Sequence, residues 1–89
     1  MSKWKWFVYI ILCKDDTYYT GLTYNISIRH NQHKLSKGSR YTKLHGFKRL
    51  VYYEEHDDLE VARNRERQIK KWNQEKKEKL INGNWKKEW

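Results

Sequence analysis

W-F-V-Y-I-I-L-C-K-D-D-T-Y-Y-T-G-L, residues 6–22, is two strand-like runs around a polar turn. Trp6 to Cys13 is β-branched, aliphatic and aromatic without a breaker, and Thr17 to Leu22 is similar, with Lys14-Asp15-Asp16 as turn material. The pair reads as a β-hairpin. With a three-residue loop, Cys13 faces Thr17 and Ile11 faces Tyr19. Because Tyr9 and Ile11 share a face, Tyr9 and Tyr19 then point to the same side. A two-residue loop would separate them.

Outward from the hairpin, Asn25 is a good N-cap and Gly38 a good C′ residue, so a helix is expected from Ile26 to about Lys37. Its inner face, Ile26, Arg29, His30 and His33, is polar for a core stripe and suits the edge of a cleft better. Ser39 to His45 has room for a short helical turn, Gly46 breaks it, and Arg49 to Glu54 reads as a third strand. Asp57 with Glu60 resembles a capping box opening a helix from Asp58 to about Trp72, with Leu59, Ala62, Glu66, Ile69 and Trp72 inward. A last helix is expected over Gln74 to Ile81, ended by Asn82-Gly83-Asn84 before a basic tail containing tryptophan. There is no proline, repeat or low-complexity stretch.

A length of 89 residues fits one domain, residues 1–89, with one modest core. Hydrophobic residues make up only 37%, but 5 Trp, 7 Tyr and 2 Phe bury large areas and argue against disorder. The single cysteine, Cys13, cannot form an intramolecular disulfide, which fits a reducing cytoplasm. The apolar run Phe7 to Cys13 is too short to span a bilayer, and no targeting segment or membrane association is expected. The four histidines and Cys13 are scattered, with no paired cysteines and no HExxH, and there is no phosphate-cradling glycine loop. Neither zinc nor a small-molecule cofactor is therefore expected.

The net charge is +9, and its distribution is more telling than its size. From Thr17 to Tyr53 there is no acid, while Arg29, Lys34, Lys37, Arg40, Lys43, Lys48 and Arg49 are interleaved with Tyr24, Tyr41 and Phe47. Bases for phosphates and rings for stacking are what nucleic-acid grooves use. A second basic block, Arg63 to Lys79, alternates with glutamates and reads largely as i,i+4 pairing on a wet helix face.

Two residues need more than packing. Glu66 falls between Ala62 and Ile69 on a stripe that should be buried, where a lone carboxylate is costly. It is either ion-paired to Arg63, Arg65 or Arg67, or it is a metal-ligating carboxylate facing a cleft. Arg29 lies one turn before His33 on the polar stripe; it is either solvated or aimed at a phosphate, which its planar fork fits.

These residues resemble the GIY-YIG nuclease domain. F-V-Y (7–9) stands where that family has GIY, and Y-T-G (19–21) where it has YIG. T-Y-N-I-S-I-R-H-N-Q-H (23–33) is similar to the family's helix with an arginine followed four residues later by His or Tyr. V-A-R-N-R-E-R-Q-I-K-K-W (61–72) is similar to the helix carrying its metal-binding glutamate. The likeness is greatest to small stand-alone bacterial members, including G-S-R-Y-T (38–42) and K-K-E-K-L-I (76–81), and it covers residues 5 to 82.

The resemblance implies an α+β fold, a small three-stranded antiparallel sheet flanked by helices, in which Tyr9, Tyr19, Arg29, His33 and Glu66 converge. It implies hydrolysis of phosphodiester bonds in DNA, with Glu66 holding Mg²⁺ or Mn²⁺, Arg29 neutralising charge on the phosphate and Tyr9 as general base. Tyr19 and His33 would orient water and phosphate or relay the proton. Lys34, Lys37, Arg40, Tyr41, Lys43 and Lys48 would grip the nucleic acid. Phe7, Val8 and Thr20 replace the family's Gly, Ile and Ile, yet both tyrosines are kept; Leu22 stands where the excision-repair relative has a lysine. With no recognition domain expected beside this one, targeting would fall to a protein partner. The rival readings are a non-catalytic nucleic-acid-binding module of the same fold and a basic protein that packs on RNA.

Overall fold

The computed structural model describes residues 5–35 and 37–83. Strands β1 (Trp6–Cys13), β2 (Tyr18–Thr23) and β3 (Phe47–His56) form one antiparallel sheet in the order β2-β1-β3. Helices α1 (Ile26–Lys34), α2 (Arg40–His45), α3 (Leu59–Lys70) and α4 (Gln74–Ile81) complete the α+β arrangement.

Lys14, Asp15 and Asp16 close the hairpin. The Cys13 N–H donates to the Thr17 carbonyl at 2.8 Å. Asp16 takes φ 68°, the left-handed residue that a three-residue loop needs and that aspartate tolerates. The resulting register sets Ile11 against Tyr19 and Tyr9 against Gly21, so both tyrosines project from one face.

β1 is apolar throughout because it is the central strand and both of its faces are covered. Val8 and Ile10 pack with Ala62, Ile69 and Leu80 beneath α3 and α4. Tyr9, Ile11 and Cys13 form the other cluster, closed by Tyr19, Ile26, Tyr41, Phe47 and Leu50. Leu50 reaches that second face through a register shift opposite Ile10 and Ile11. In a regular strand Leu50 and Tyr52 would share a side. Among the described residues no helix is long and apolar enough to cross a membrane.

Several boundaries depart from the sequence reading. β3 runs from Phe47 to His56, beyond the expected Arg49 to Glu54, because β1 pairs with it from Trp6 opposite His56 to Cys13 opposite Phe47, with two register shifts taking up the extra residues of β3. The cap of α3 is Asp58, whose carboxylate accepts from the Val61 N–H, and the helix ends at Lys70. α1 ends at Lys34 with Leu35 as its cap, short of Lys37, and the Lys37 N–H closes on the Gln32 carbonyl at 2.7 Å. Gly38 is therefore not a helix C′ residue, and the reason for a glycine there lies in the site. The expected stop at Asn82-Gly83 holds, with Gly83 at φ 73°; Asn84 and the basic tail lie outside the described residues.

Candidate active site

Tyr9 lies over Gly21, where a β-carbon would stand 2.4 Å from the tyrosine's Cζ and hydroxyl oxygen. Tyr19, on the neighbouring strand, brings its ring to 6.2 Å from that of Tyr9. α1 then lays His33 against both rings, 5.6 Å from each. His33 is fully buried, and its ring sits on Gly38, where a β-carbon would be 2.2 Å from Nδ1. Both glycines thus make room for the side chains of the site.

A directed hydrogen-bond chain links these groups. With the Thr42 hydroxyl donating to the Ser39 carbonyl (3.3 Å), its oxygen accepts from His33 Nδ1–H at 2.9 Å. The Nε2 atom of His33 is then an acceptor and accepts a hydrogen bond from the Tyr9 hydroxyl at 2.9 Å. The Tyr9 oxygen in turn accepts from Arg29 Nε–H at 3.4 Å. Burial, reinforced by the charges of Arg29 and His30, pulls His33 down to about 4, so its imidazole is neutral at ordinary pH. Burial pushes the Tyr9 phenol up to about 12 against the opposing pull of the Arg29 hydrogen bond.

Arg29 is half-buried, and its Nη1 donates to Gln32 at 2.8 Å, which fixes the guanidinium beside Tyr9. Glu66, 17% exposed in its side chain, pairs with Lys70 at 3.1 Å across one turn of α3. Its negative charge is close enough to Tyr9 to disfavour the phenolate. Two of the three arginines proposed as its partners bind elsewhere: Arg65 binds Glu54 and Gln68, and Arg67 binds Asn64. Tyr9, Tyr19, Arg29 and His33 therefore make one cluster, with the Glu66 carboxylate acting on it from α3.

Lys34, Lys37, Arg40 and Lys43 are exposed along the α1–α2 segment that supplies His33 and Thr42. Lys48, also exposed, pairs with Asp16 at 3.7 Å near the hairpin tip. Tyr41 is half-buried in a stack, 5.6 Å from Tyr19 on one side and 4.0 Å from His45 on the other, and so buttresses Tyr19. His45 is held in turn by the Asp15 carboxylate. The Thr17 hydroxyl, then His45, bring that carboxylate down to about 2.

Thr42, Gly38 and Gln32 belong to the site although sequence reasoning gave none of them a place in it. The signals were the run 23–33 for Gln32 and, for Gly38 and Thr42, the run G-S-R-Y-T, whose serine also forms a capping box with Thr42 at the start of α2. A second polar cluster lies on the other face of the sheet. Glu54 accepts from Tyr52 at 2.5 Å, pairs with His56 at 2.7 Å and with Arg65 Nε at 2.8 Å. Burial raises its pKa, but the hydrogen bonds from Arg65, Tyr52 and His56 outweigh it and leave the carboxyl below its usual range. A cavity of about 510 Å³ opens beside it, lined by Tyr53, Glu54, Glu55, His56 and Arg65, and contains no member of the Tyr9 cluster.

The chain is similar to known proteins. A family model described as the GIY-YIG catalytic domain matches residues 5–79. A UPF0213 protein of Staphylococcus haemolyticus is 40% identical over 77 residues, which are 86% of this chain and 94% of that protein. A UPF0213 protein of Desulfotalea psychrophila is 44% identical over 77 residues, 85% of this chain and 70% of its own length. Among solved structures, the solution NMR structure of a UPF0213 protein from Bacillus halodurans is similar with a TM-score of 0.57 and 37% identity, covering 88% of this chain and 83% of that one.

Proposed function

Since the chain belongs to the GIY-YIG family, we propose that it is a metal-dependent endonuclease hydrolysing phosphodiester bonds in DNA, serving repair or recombination. The observation that carries this reading is the Arg29–Tyr9–His33–Thr42 chain, in which a buried phenol lies between a guanidinium and a neutral imidazole.

Glu66 suits a hydrated Mg²⁺ or Mn²⁺. It is a carboxylate with some access to solvent, and its ion-pair partner Lys70 is half exposed. Among the described residues no three His, Cys, Asp or Glu side chains group as a full protein cage, a pattern matching a cation that keeps most of its waters and takes phosphate oxygens. Bound there, the ion would supply Lewis-acid polarisation of the scissile phosphate and charge for the leaving oxygen.

The chain's own groups do the rest. Arg29 offers its fork to the phosphate and neutralises the charge that builds up on it. Tyr9 is only 1% exposed, so water meets its hydroxyl when Arg29 moves from the phenol to the phosphate. Tyr9 acts as general base on that water in its phenolate form, which is scarce at neutral pH for a phenol near 12. His33 is too buried to reach water; its Nε2 accepts from the neutral Tyr9 phenol and fixes that ring in place before the proton leaves. Tyr19, backed by Tyr41, forms the adjoining wall. Lys34, Lys37, Arg40, Lys43 and Lys48 track the phosphate backbone.

The test is incubation of the protein with plasmid, single-stranded and branched DNA in Mg²⁺, Mn²⁺ or EDTA, beside Glu66→Ala and Tyr9→Phe. Metal-dependent cutting lost in both variants is expected, with Glu66→Ala keeping its helix content and DNA affinity. Tight, salt-dependent binding without cutting by all three proteins would replace the nuclease with a non-catalytic binding module.

A further inference from the structure

Beside Arg29 lies a notch of about 150 Å³ whose lining includes neither Tyr9 nor His33. Thr23, Tyr24, Asn25, Ile28, Arg29 and Gln32 line it. Two of these are large apolar side chains left more than half exposed, Tyr24 at 53% and Ile28 at 54%, side by side at one notch. Tyr24 is braced edge-on by Trp6, with ring centroids 6.0 Å apart, so its ring is held in place. The Asn25 side-chain oxygen is committed to capping α1 at the Ile28 N–H. Gln32 uses its oxygen on Arg29 Nη1. Both therefore offer amide N–H donors to a ligand.

We propose that this notch is a nucleobase subsite. An unpaired base of the bound strand stacks on Tyr24 against Ile28, within reach of the Asn25 and Gln32 amides, while the phosphate next to it meets Arg29. The notch is smaller than a drug-sized site and shares Arg29 with the Tyr9 cluster, as a base and its own phosphate require. The substrate would then be a strand with an unstacked nucleotide at the cut, single-stranded or branched. The inference rests on the nucleic-acid reading of the Tyr9 cluster, and its test is read without catalysis.

Binding of a 12-nucleotide oligo-dT and of a tetrahydrofuran 12-mer with the same phosphates and no bases is measured in EDTA by fluorescence anisotropy. Tyr24→Ala should weaken oligo-dT binding about 5- to 150-fold, the usual effect of losing one stacking ring, and change binding of the abasic strand less than about twofold. Tyr24→Phe should bind like the parent. Tyr24→Leu, which keeps bulk against Trp6, should behave like Tyr24→Ala; oligo-dT affinity retained by Tyr24→Leu, or equal losses on both strands, overturns the subsite. Cutting in parallel Mg²⁺ reactions reports on the nuclease alone. Base-dependent binding without cutting keeps the subsite and removes the nuclease.

Discussion

His33 is fully buried, neutral and hydrogen-bonded at both ring nitrogens, and this should make the protein lose stability as pH falls through the histidine range. The ordinary value of 6.5 falls to about 4 in the folded chain, from burial first and then from the charges of Arg29 and His30. Between those values the unfolded chain binds a proton that the folded chain refuses. Stability therefore decreases as pH drops, by about 2 kcal/mol at pH 5 and about 3 kcal/mol at pH 4, and is unaffected by this group above pH 7. Urea unfolding monitored by tryptophan fluorescence from pH 8 to pH 4, beside His33→Gln, isolates the effect. The variant keeps a hydrogen-bonding group but cannot titrate, and distant carboxylates cancel in the difference. The parent's advantage over His33→Gln should shrink by about 2 kcal/mol between pH 8 and pH 5. A difference independent of pH, or an NMR titration of His33 near 6.5, would refute the buried neutral imidazole and with it the assigned direction of the Tyr9 proton.

Cleavage should accelerate about tenfold per pH unit from pH 7 to 9, because a phenol near 12 is mostly protonated throughout that range. A flat profile for the single-turnover rate removes Tyr9 phenolate as the base. Gly21→Ala and Gly38→Ala each push a methyl into the site, 2.4 Å from Tyr9 and 2.2 Å from His33 Nδ1, and should each cost about 2 kcal/mol or more by thermal unfolding. Arg65→Ala leaves Glu54, 7% exposed, without its cation and should cost about 3 kcal/mol, whereas Lys70→Ala removes an exposed i,i+4 partner and should cost less than about 0.5 kcal/mol. Equal losses for Arg65→Ala and Lys70→Ala contradict the burial argument.

The hairpin and the four helices were legible because each follows from a local rule, and the common side of Tyr9 and Tyr19 followed from the same rules once the structure settled the loop at three residues. Period-two patterning, a three-residue turn able to place Asp16 at positive φ, and the N-cap Asn25 involve only neighbours in sequence, whereas the cap of α3 was read at Asp57, one residue before Asp58. The polar stripe of α1 marked Arg29 and His33 for the same reason, since residues one turn apart share a helix face. The partner of Glu66 was misjudged: spacing allows any cation within a turn, and the choice of Lys70 followed once Arg65 was claimed by Glu54 from another element.

By itself, then, the sequence determined which elements form and which residues stand on one side of each. Tertiary structure alone decided what those residues are chemically. Thr42 and Gly38 became parts of the site because α2 folds back on His33, and burial moved Tyr9 up and His33 down. Both are long-range effects: solvent exclusion and close approach depend on segments that local sequence rules do not bring together.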